Sequence, residues 1–452
     1  MKVINSIATV VAVLTLAPQM SEAANRYVRP GATGANSGSD WTNAYTSLPA
    51  SLVRGDTYYL ADGSYGSVTF DDANSGTTVI TIKKAISADH GSDTGWASDF
   101  GDGQAVFRSW NIHTDYYVFD GQRRNADWRV GGTSQYGIKV AGTGPLRLDN
   151  GGGTGADNVT FRFVDIQGGG RDTGSGDDVI YGLTGNTNIT FQFCALRDSD
   201  RTIFLMRGNW TNLLVDHSYL ARNTSTDAIH GELLSSTSTT NMIFSHNSIE
   251  DIEGTAVWAS LNGGTSNGWK IFGNTITHTP NYLSNRNMRA GSGHGVAATI
   301  YVANDASNNN TANNVLFYNN TIINLRGLWS GLHIEAGTGN KATNNIWYNS
   351  PRLGSSGTTH THNWYYNTGP QDGDDSATKV ICTSACDKFV SIPSRDFRLA
   401  SGTPEGTALP SPYNVDPDGA TRGDDGIWDR GAFDFGSQVA STPNPPSGLT
   451  AQ

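Results

Sequence analysis

Apolar and polar residues alternate in short runs along most of the chain, and one nine-residue run recurs. It starts at Asn158, Asn188, Asn212, Asn241, Gly268 and Asn314 and ends on Ile166, Leu196, Leu220, Ile249, Ile276 and Ile322. The starts lie 30, 24, 29, 27 and 46 residues apart, and a weaker copy runs from Gly339 to Trp347. Alternation with a period of two marks a strand with one buried face. Position seven of the later copies is Asn247, Asn274, Asn320 and Asn345. Asn tolerates the left-handed backbone that a sharp corner needs, so these residues are expected at corners. Stacked copies would set their amides above one another, within bonding reach along the stack.

A second alternating strand sits between successive copies, around Ile180, Ile203, Ile229, Val257, Ile300 and Leu332. Strands recurring once per 24–30 residues, with Gly, Asn, Ser and Thr between them, describe a solenoid whose coils stack at about 4.8 Å. The predicted fold is all-β: a single-stranded right-handed parallel β-helix with an N-terminal cap and a loop insertion. The long interval implies that residues 279–294 hang off one coil as a loop. The expected organisation is a leader over 1–23, a β-helix over 24–436 and a Pro-rich tail over 437–452. The cap and first coil cover 24–66, and the closing coil covers 396–436.

Composition narrows the picture. Gly is 54 of 452 residues, and 11 Trp, 17 Tyr and 16 Phe can fill a large core, which excludes wholesale disorder. The net charge of −11 with few Lys and Arg lacks the basic footprint of a nucleic-acid binder. Lys2, the apolar stretch Val3 to Ala17 and the small-x-small site Ser21-Glu22-Ala23 predict a secretory signal cleaved after Ala23. That stretch falls short of the ~20 residues that span a bilayer, so a secreted protein without membrane insertion is expected, as a monomer. Cys382 and Cys386 can close a small disulfide loop outside the cytosol, or stay as two thiols. Cys194 has no obvious partner and is expected to be buried in a strand.

At this point a resemblance can be stated. Tyr27 to Pro49 and Arg54 to Gly66 resemble the opening coil and cap of the pectate lyase-like superfamily of secreted right-handed parallel β-helix proteins. The stretches beginning at Asp396, Tyr413 and Trp428 resemble its closing coil. The likeness spans residues 25–436. It implies the fold and an action on polysaccharides, but one fold hosts many activities. Glu232 to Asn241 resembles a strand of alginate lyases and chondroitinase B, in which a Lys is the base; Thr237 stands there in this chain. The partner Arg-His of that family would fall near Trp258-Ala259-Ser260, which carries neither.

Candidate chemistry lies on the second strand. Taking the apolar residue of each coil as inward, the next position faces out: Tyr181, Phe204, His230, Trp258, Tyr301 and His333. Exposed contiguous aromatic surface marks binding, and rings at regular steps suit sugar faces; a covering loop would make the same stripe core. These six, with Glu335 and with Arg289 and His294 of the insertion, are the candidate substrate-binding residues. His230, Glu232 and Asp227 form the candidate catalytic set, and His333 with Glu335 repeats the His-x-Glu spacing. A uronic-acid lyase needs a base for the C5 proton and a cation to neutralise the carboxylate. His can be the base, and Asp or Glu oxygens can hold calcium as a cofactor. The alternative is a surface His–Glu bond that supports a strand. Glu232 and Glu335 lie three coils apart, ~14 Å, beyond the ~5–9.5 Å of a glycosidase pair. The expected function is therefore a polysaccharide lyase. The alternatives are a non-catalytic carbohydrate-binding or surface protein, and a glycoside hydrolase.

Overall fold

The computed structural model describes residues 23–225, 230–286, 294–305, 308–369 and 373–436. The expected leader and the Pro-rich tail therefore lie outside the described residues, apart from Ala23. Thirty-two strands join in one continuous sheet. Each strand pairs in parallel with its equivalent on the next coil, which is how a parallel β-helix is wound. One face runs from Val159–Arg162 through Thr187–Gln192, the end of Thr202–Asp216, Ile243–Ser245, Lys270–Phe272 and Leu316–Tyr318. A second runs from Val164–Gln167 through Ala195–Arg197, Tyr219–Ala221, Ser248–Glu250, Thr275–Thr277 and Thr321–Ile323. The third carries Ile180–Gly182, the start of Thr202–Asp216, Glu232–Thr240, Gly254–Ser260, Val296–Val302 and Ser330–Ile334. The strands Phe389–Ser391 and Asp396–Leu399 form a separate antiparallel pair.

The core is a column of stacked side chains. Phe119, Phe161 and Phe191 sit face to face on consecutive coils, with ring centroids 5.1 and 4.7 Å apart. Such stacking follows from parallel in-register strands, which place identical positions directly above one another. At the N-terminal end Tyr27, Trp41, Ala44, Tyr59, Ala61 and Ala85 form a small cluster of their own.

Corners take two kinds of residue. The first position of the repeat is left-handed throughout, with φ of 56° at Asn158, 57° at Asn188, 58° at Asn212 and 56° at Asn241. Asn188 donates to Asn158, and Asn212 to Asn188, in an outer ladder with 2.8 Å bonds. The position-seven Asn residues also form a ladder, but the left-handed backbone belongs to the residue before each: His246, Gly273, Asn319 and Asn344, φ 51° to 65°. The physical reason is direction. The left-handed residue turns its side chain outward, and the following Asn then points into the coil. There Asn247 Nδ2 donates to the Val215 carbonyl and to Asn274 Oδ1, and Asn274 Nδ2 to Phe244 and to Asn320 Oδ1. The ladder continues through Asn345 to Asn363, whose Nδ2 reaches the Asp374 carboxylate.

Cys382 and Cys386 are joined in a disulfide, and Cys194 is a buried thiol that burial pushes up to about 12. The insertion begins with the short helix Pro280–Asn285, capped by the Thr279 hydroxyl, which accepts from the Tyr282 amide.

Candidate active site

The third face carries the stripe, but its alternation is interrupted. Strand register aligns Ile180 with Phe204, Leu234, Trp258, Ile300 and Leu332. All six are fully buried. On several coils the residue before is buried as well: Val179, Ile203, Leu233 and Val257. Two consecutive inward residues mark a bend, and across a bend the period of two shifts by one. Phe204 and Trp258 therefore belong to the core, contrary to their expected place on the stripe. Phe204 meets Phe191 edge-on, and Trp258 meets Phe244 edge-on at 5.7 Å. Neither ring can stack a sugar. Tyr181, Tyr301 and His333 do face outward and are half-buried.

His230 and Glu232 meet at the start of the Glu232–Thr240 strand. Gly231 lies between them, and a Cβ there would come within 2.2 Å of the Thr224 carbonyl, so only glycine fits. His230 Nδ1 is 2.8 Å from Glu232 Oε1; the imidazole is 61% exposed, whereas the carboxylate is fully buried. The hydrogen bond and charge of Glu232 raise the His230 pKa above its ordinary value, outweighing desolvation. Glu232 Oε2 is buried and has no hydrogen-bond partner among the described residues. Asp227 lies outside the described residues.

Around the pair is a hollow of 170 Å³ lined by Arg201, Thr202, Leu205, Arg207, His230, Glu232 and Ser235. A second hollow of 370 Å³ shares Arg201 and adds Asn111, Arg147, Asp177, Asp178 and Tyr181. Together they form a groove crossing successive coils. Its cations differ in their engagement. Arg201 is held by Asp178, with Nε 2.9 Å from Oδ1. Arg147 pairs with Asp149 and lies 5.2 Å from the centre of the Tyr181 ring. Arg207 donates to the carbonyls of Met206 and Ser235, at 3.2 and 3.3 Å, and has no ion-pair partner among the described residues. Burial lowers its pKa from the usual arginine range. Arg207 escaped the sequence reading because the stripe was aligned one residue off on this coil. With Phe204 inward, Leu205 and Arg207 face out by alternation.

The carboxylates of the wider hollow are committed. Asp178 takes Arg201 and Thr202, and Asp177 takes the amides of Gly144 and Gly169 and the Ser175 hydroxyl. The site thus offers little for the six to eight oxygens that calcium needs.

Three coils beyond, Tyr301 stacks on His333 at 5.3 Å, and Trp329, 43% exposed, stands edge-on to both. His333 Nε2 is 2.9 Å from Glu335 Oε1, so the second His-x-Glu pair is formed too. Trp329 lay outside the expected stripe because it precedes its strand. His294 does not line either hollow. Its Nδ1 lies 2.8 Å from Glu253 Oε2, and that buried carboxylate also receives Arg171, Arg286 and the Tyr282 hydroxyl. This closed knot anchors the insertion. Arg289 lies outside the described residues.

No protein-family model and no curated protein matches the sequence. Among solved structures, the chain is similar to pectate lyase Pel9A, at 14% identity over 92% of this chain and 97% of that one, with a TM-score of 0.48. It is similar to the PL6 family alginate lyase AlyGC, at 11% identity over 73% of this chain and 51% of that one, TM-score 0.32. It is also similar to the Dettilon tailspike protein, at 10% identity over 73% of this chain and 62% of that one, TM-score 0.31. The architecture itself is a parallel β-helix, on the register of its own strands.

Proposed function

We propose that this is a secreted polysaccharide lyase, with residues 1–23 as its leader, which cleaves a uronic-acid-containing glycan by β-elimination at His230, Glu232 and Arg207. The observation that carries the reading is a guanidinium without a carboxylate partner, Arg207, in the same hollow as a His–Glu pair. β-Elimination needs two things at once: a base for the proton on C5 and a cation for the carboxylate beside it. Glu232 accepts from Nδ1–H, which leaves the Nε2 lone pair of His230 free to act as base. Arg207 can take the sugar carboxylate as a bidentate pair and spread the charge that develops as the C5–H bond breaks. The C4–O4 bond then breaks, a C4=C5 double bond forms, and the leaving oxygen takes up a proton. Glu232 stabilises the imidazolium formed on the way. The disulfide fits a protein made outside the cytosol.

A second reading has its own observation. The Trp329, Tyr301 and His333 cluster offers ring surface on the same face, which suits a carbohydrate-binding protein with no chemistry. A glycoside hydrolase is the least supported, because Asp178 is locked by Arg201 and Glu232 has no partner acid in its hollow among the described residues.

The test is a panel of uronic-acid and neutral polysaccharides read for ultraviolet absorbance of an unsaturated product and, separately, for reducing ends. A lyase gives both, a hydrolase only the second and a binder neither. On the substrate found, His230→Ala should lower turnover ~10²–10⁴-fold, the worth of a general base. Wild-type turnover in that variant would exclude this site.

A further inference from the structure

At the far end of the Thr202–Asp216 strand from its groove-lining residues, Asp216, His217 and His246 converge beneath the closing segment. Asp216 ends the Thr202–Asp216 strand, and its equivalent on the next coil is Ser245. His217 and His246 hold the same left-handed corner on successive coils, at φ 47° and 57°. Their side chains are therefore stacked outward, with ring centroids 4.8 Å apart. All three residues are buried: Asp216 fully, His217 to 7% and His246 to 5% exposure. One ligating atom from each lies within 4.8 Å of the others.

The hydrogen bonds at His246 leave one contact that a neutral ring does not satisfy. Its Nε2 lies 3.2 Å from the Val415 carbonyl. A carbonyl only accepts, so Nε2 carries the hydrogen. In a neutral ring Nδ1 is then a lone pair, and it faces Asp216 Oδ1 at 3.4 Å. That oxygen already accepts from the Ser245 hydroxyl at 2.7 Å. The other oxygen of Asp216 lies 2.9 Å from His217 Nδ1. Two acceptors facing each other in a buried place call for a positive charge between them, either a proton on Nδ1 or a metal ion. An imidazole whose outer N–H is given to a backbone carbonyl matches metal-ligating histidines, which keep the other nitrogen for the ion.

Gly273 follows His246 in the corner column, and a Cβ there would lie 2.5 Å from His246 Cδ2. The nearby cation is otherwise engaged: Arg124 donates to the His217 carbonyl and lies over the Trp128 and Phe193 rings, on the coil before.

We propose that Asp216, His217 and His246 bind a divalent transition-metal ion of the zinc type, fastening two coils to the closing segment through Val415. Two imidazole nitrogens with one carboxylate oxygen suit such an ion and not calcium, which takes oxygen ligands. The site is separate from the groove and is not required for the elimination chemistry proposed there.

The test uses the whole protein, stripped of metal with a chelator and titrated with Co²⁺. The expected result is one Co²⁺ per chain with visible d–d bands, displaced by Zn²⁺, and a higher melting temperature with Zn²⁺ bound. Asp216→Asn and His246→Gln should each abolish the bands with an unchanged circular dichroism spectrum. Should either variant fail to fold, X-ray absorption of the wild-type Zn²⁺ form must show two imidazole ligands. Failure of the wild type to bind either ion overturns the proposal. So do bands that persist in folded variants, or nitrogen NMR showing His246 doubly protonated whether or not metal is added.

Discussion

Glu232 fixes the tautomer of His230 and sets the pH at which its ring is free to accept a proton. Because the carboxylate raises the His230 pKa, the base form appears only above a pH higher than the ~6.5 of an ordinary histidine. Activity on a confirmed substrate should therefore rise with pH through that raised value. Glu232→Gln removes the charge and should move the midpoint of kcat/KM down toward ~6.5 while lowering the plateau. The measurement is the pH profile of both proteins, and an unmoved midpoint would take Glu232 out of the proton path. The His-Gly-Glu spacing was legible in the sequence as a pair on one outer edge. Arg207 was not, since its outward aim depends on a bend that hides in an unbroken apolar run, Ile203 to Met206. The same bend turned Trp258 from an expected sugar platform into core.

The strands and corners follow closely from the repeat, and their departures are informative. The amides of Asn247, Asn274, Asn320 and Asn345 bond along the stack as their spacing suggests. The left-handed corner sits one residue earlier, because the amide has to point inward to reach the carbonyls. Asn274→Ala would take one donor from each of the Phe244 and Phe272 carbonyls and leave the Asn247 backbone N–H without its acceptor inside the coil. Each buried group left unsatisfied costs about 1–3 kcal/mol, so the urea midpoint should fall clearly. Asn188→Gly, which removes the exposed outer-ladder bond while keeping the left-handed corner unstrained, is expected to change stability by no more than ~0.5 kcal/mol. Equal effects in the two variants would mean that the inner ladder carries no special weight.

Across the whole molecule, each coil touches mainly its neighbours, so the ends are where the solenoid is vulnerable. The Thr57–Leu60 strand lies between Asn25–Val28 and Ile80–Lys84. Deleting residues 24–62 would bare the Ile80–Lys84 edge and remove most of the Tyr27, Trp41 and Tyr59 cluster. An unpaired parallel edge is a template for another chain. The shortened protein should aggregate, as read by light scattering against the full chain. A monodisperse monomer would show that the opening strands are dispensable. The coils from Val159 onward were legible from the recurring nine residues, whereas the earlier ones, from Asn25–Val28 to Tyr117–Asp120, carry no copy of it; the knot around Glu253 was not legible, since the insertion brings Tyr282 and His294 to it, a loop of an earlier coil brings Arg171, and neither follows a period.

The inner Asn column also has a sense of direction. Every amide from Asn247 to Asn363 turns its oxygen toward the preceding coil and its NH₂ toward the next. A single amide cannot reverse without setting NH₂ against NH₂ on one side and oxygen against oxygen on the other, so the five orient together or not at all. Their dipoles add along the solenoid axis as peptide dipoles add along an α-helix. The positive end of this side-chain dipole is at Asn363, and the residue that meets it there is the carboxylate of Asp374.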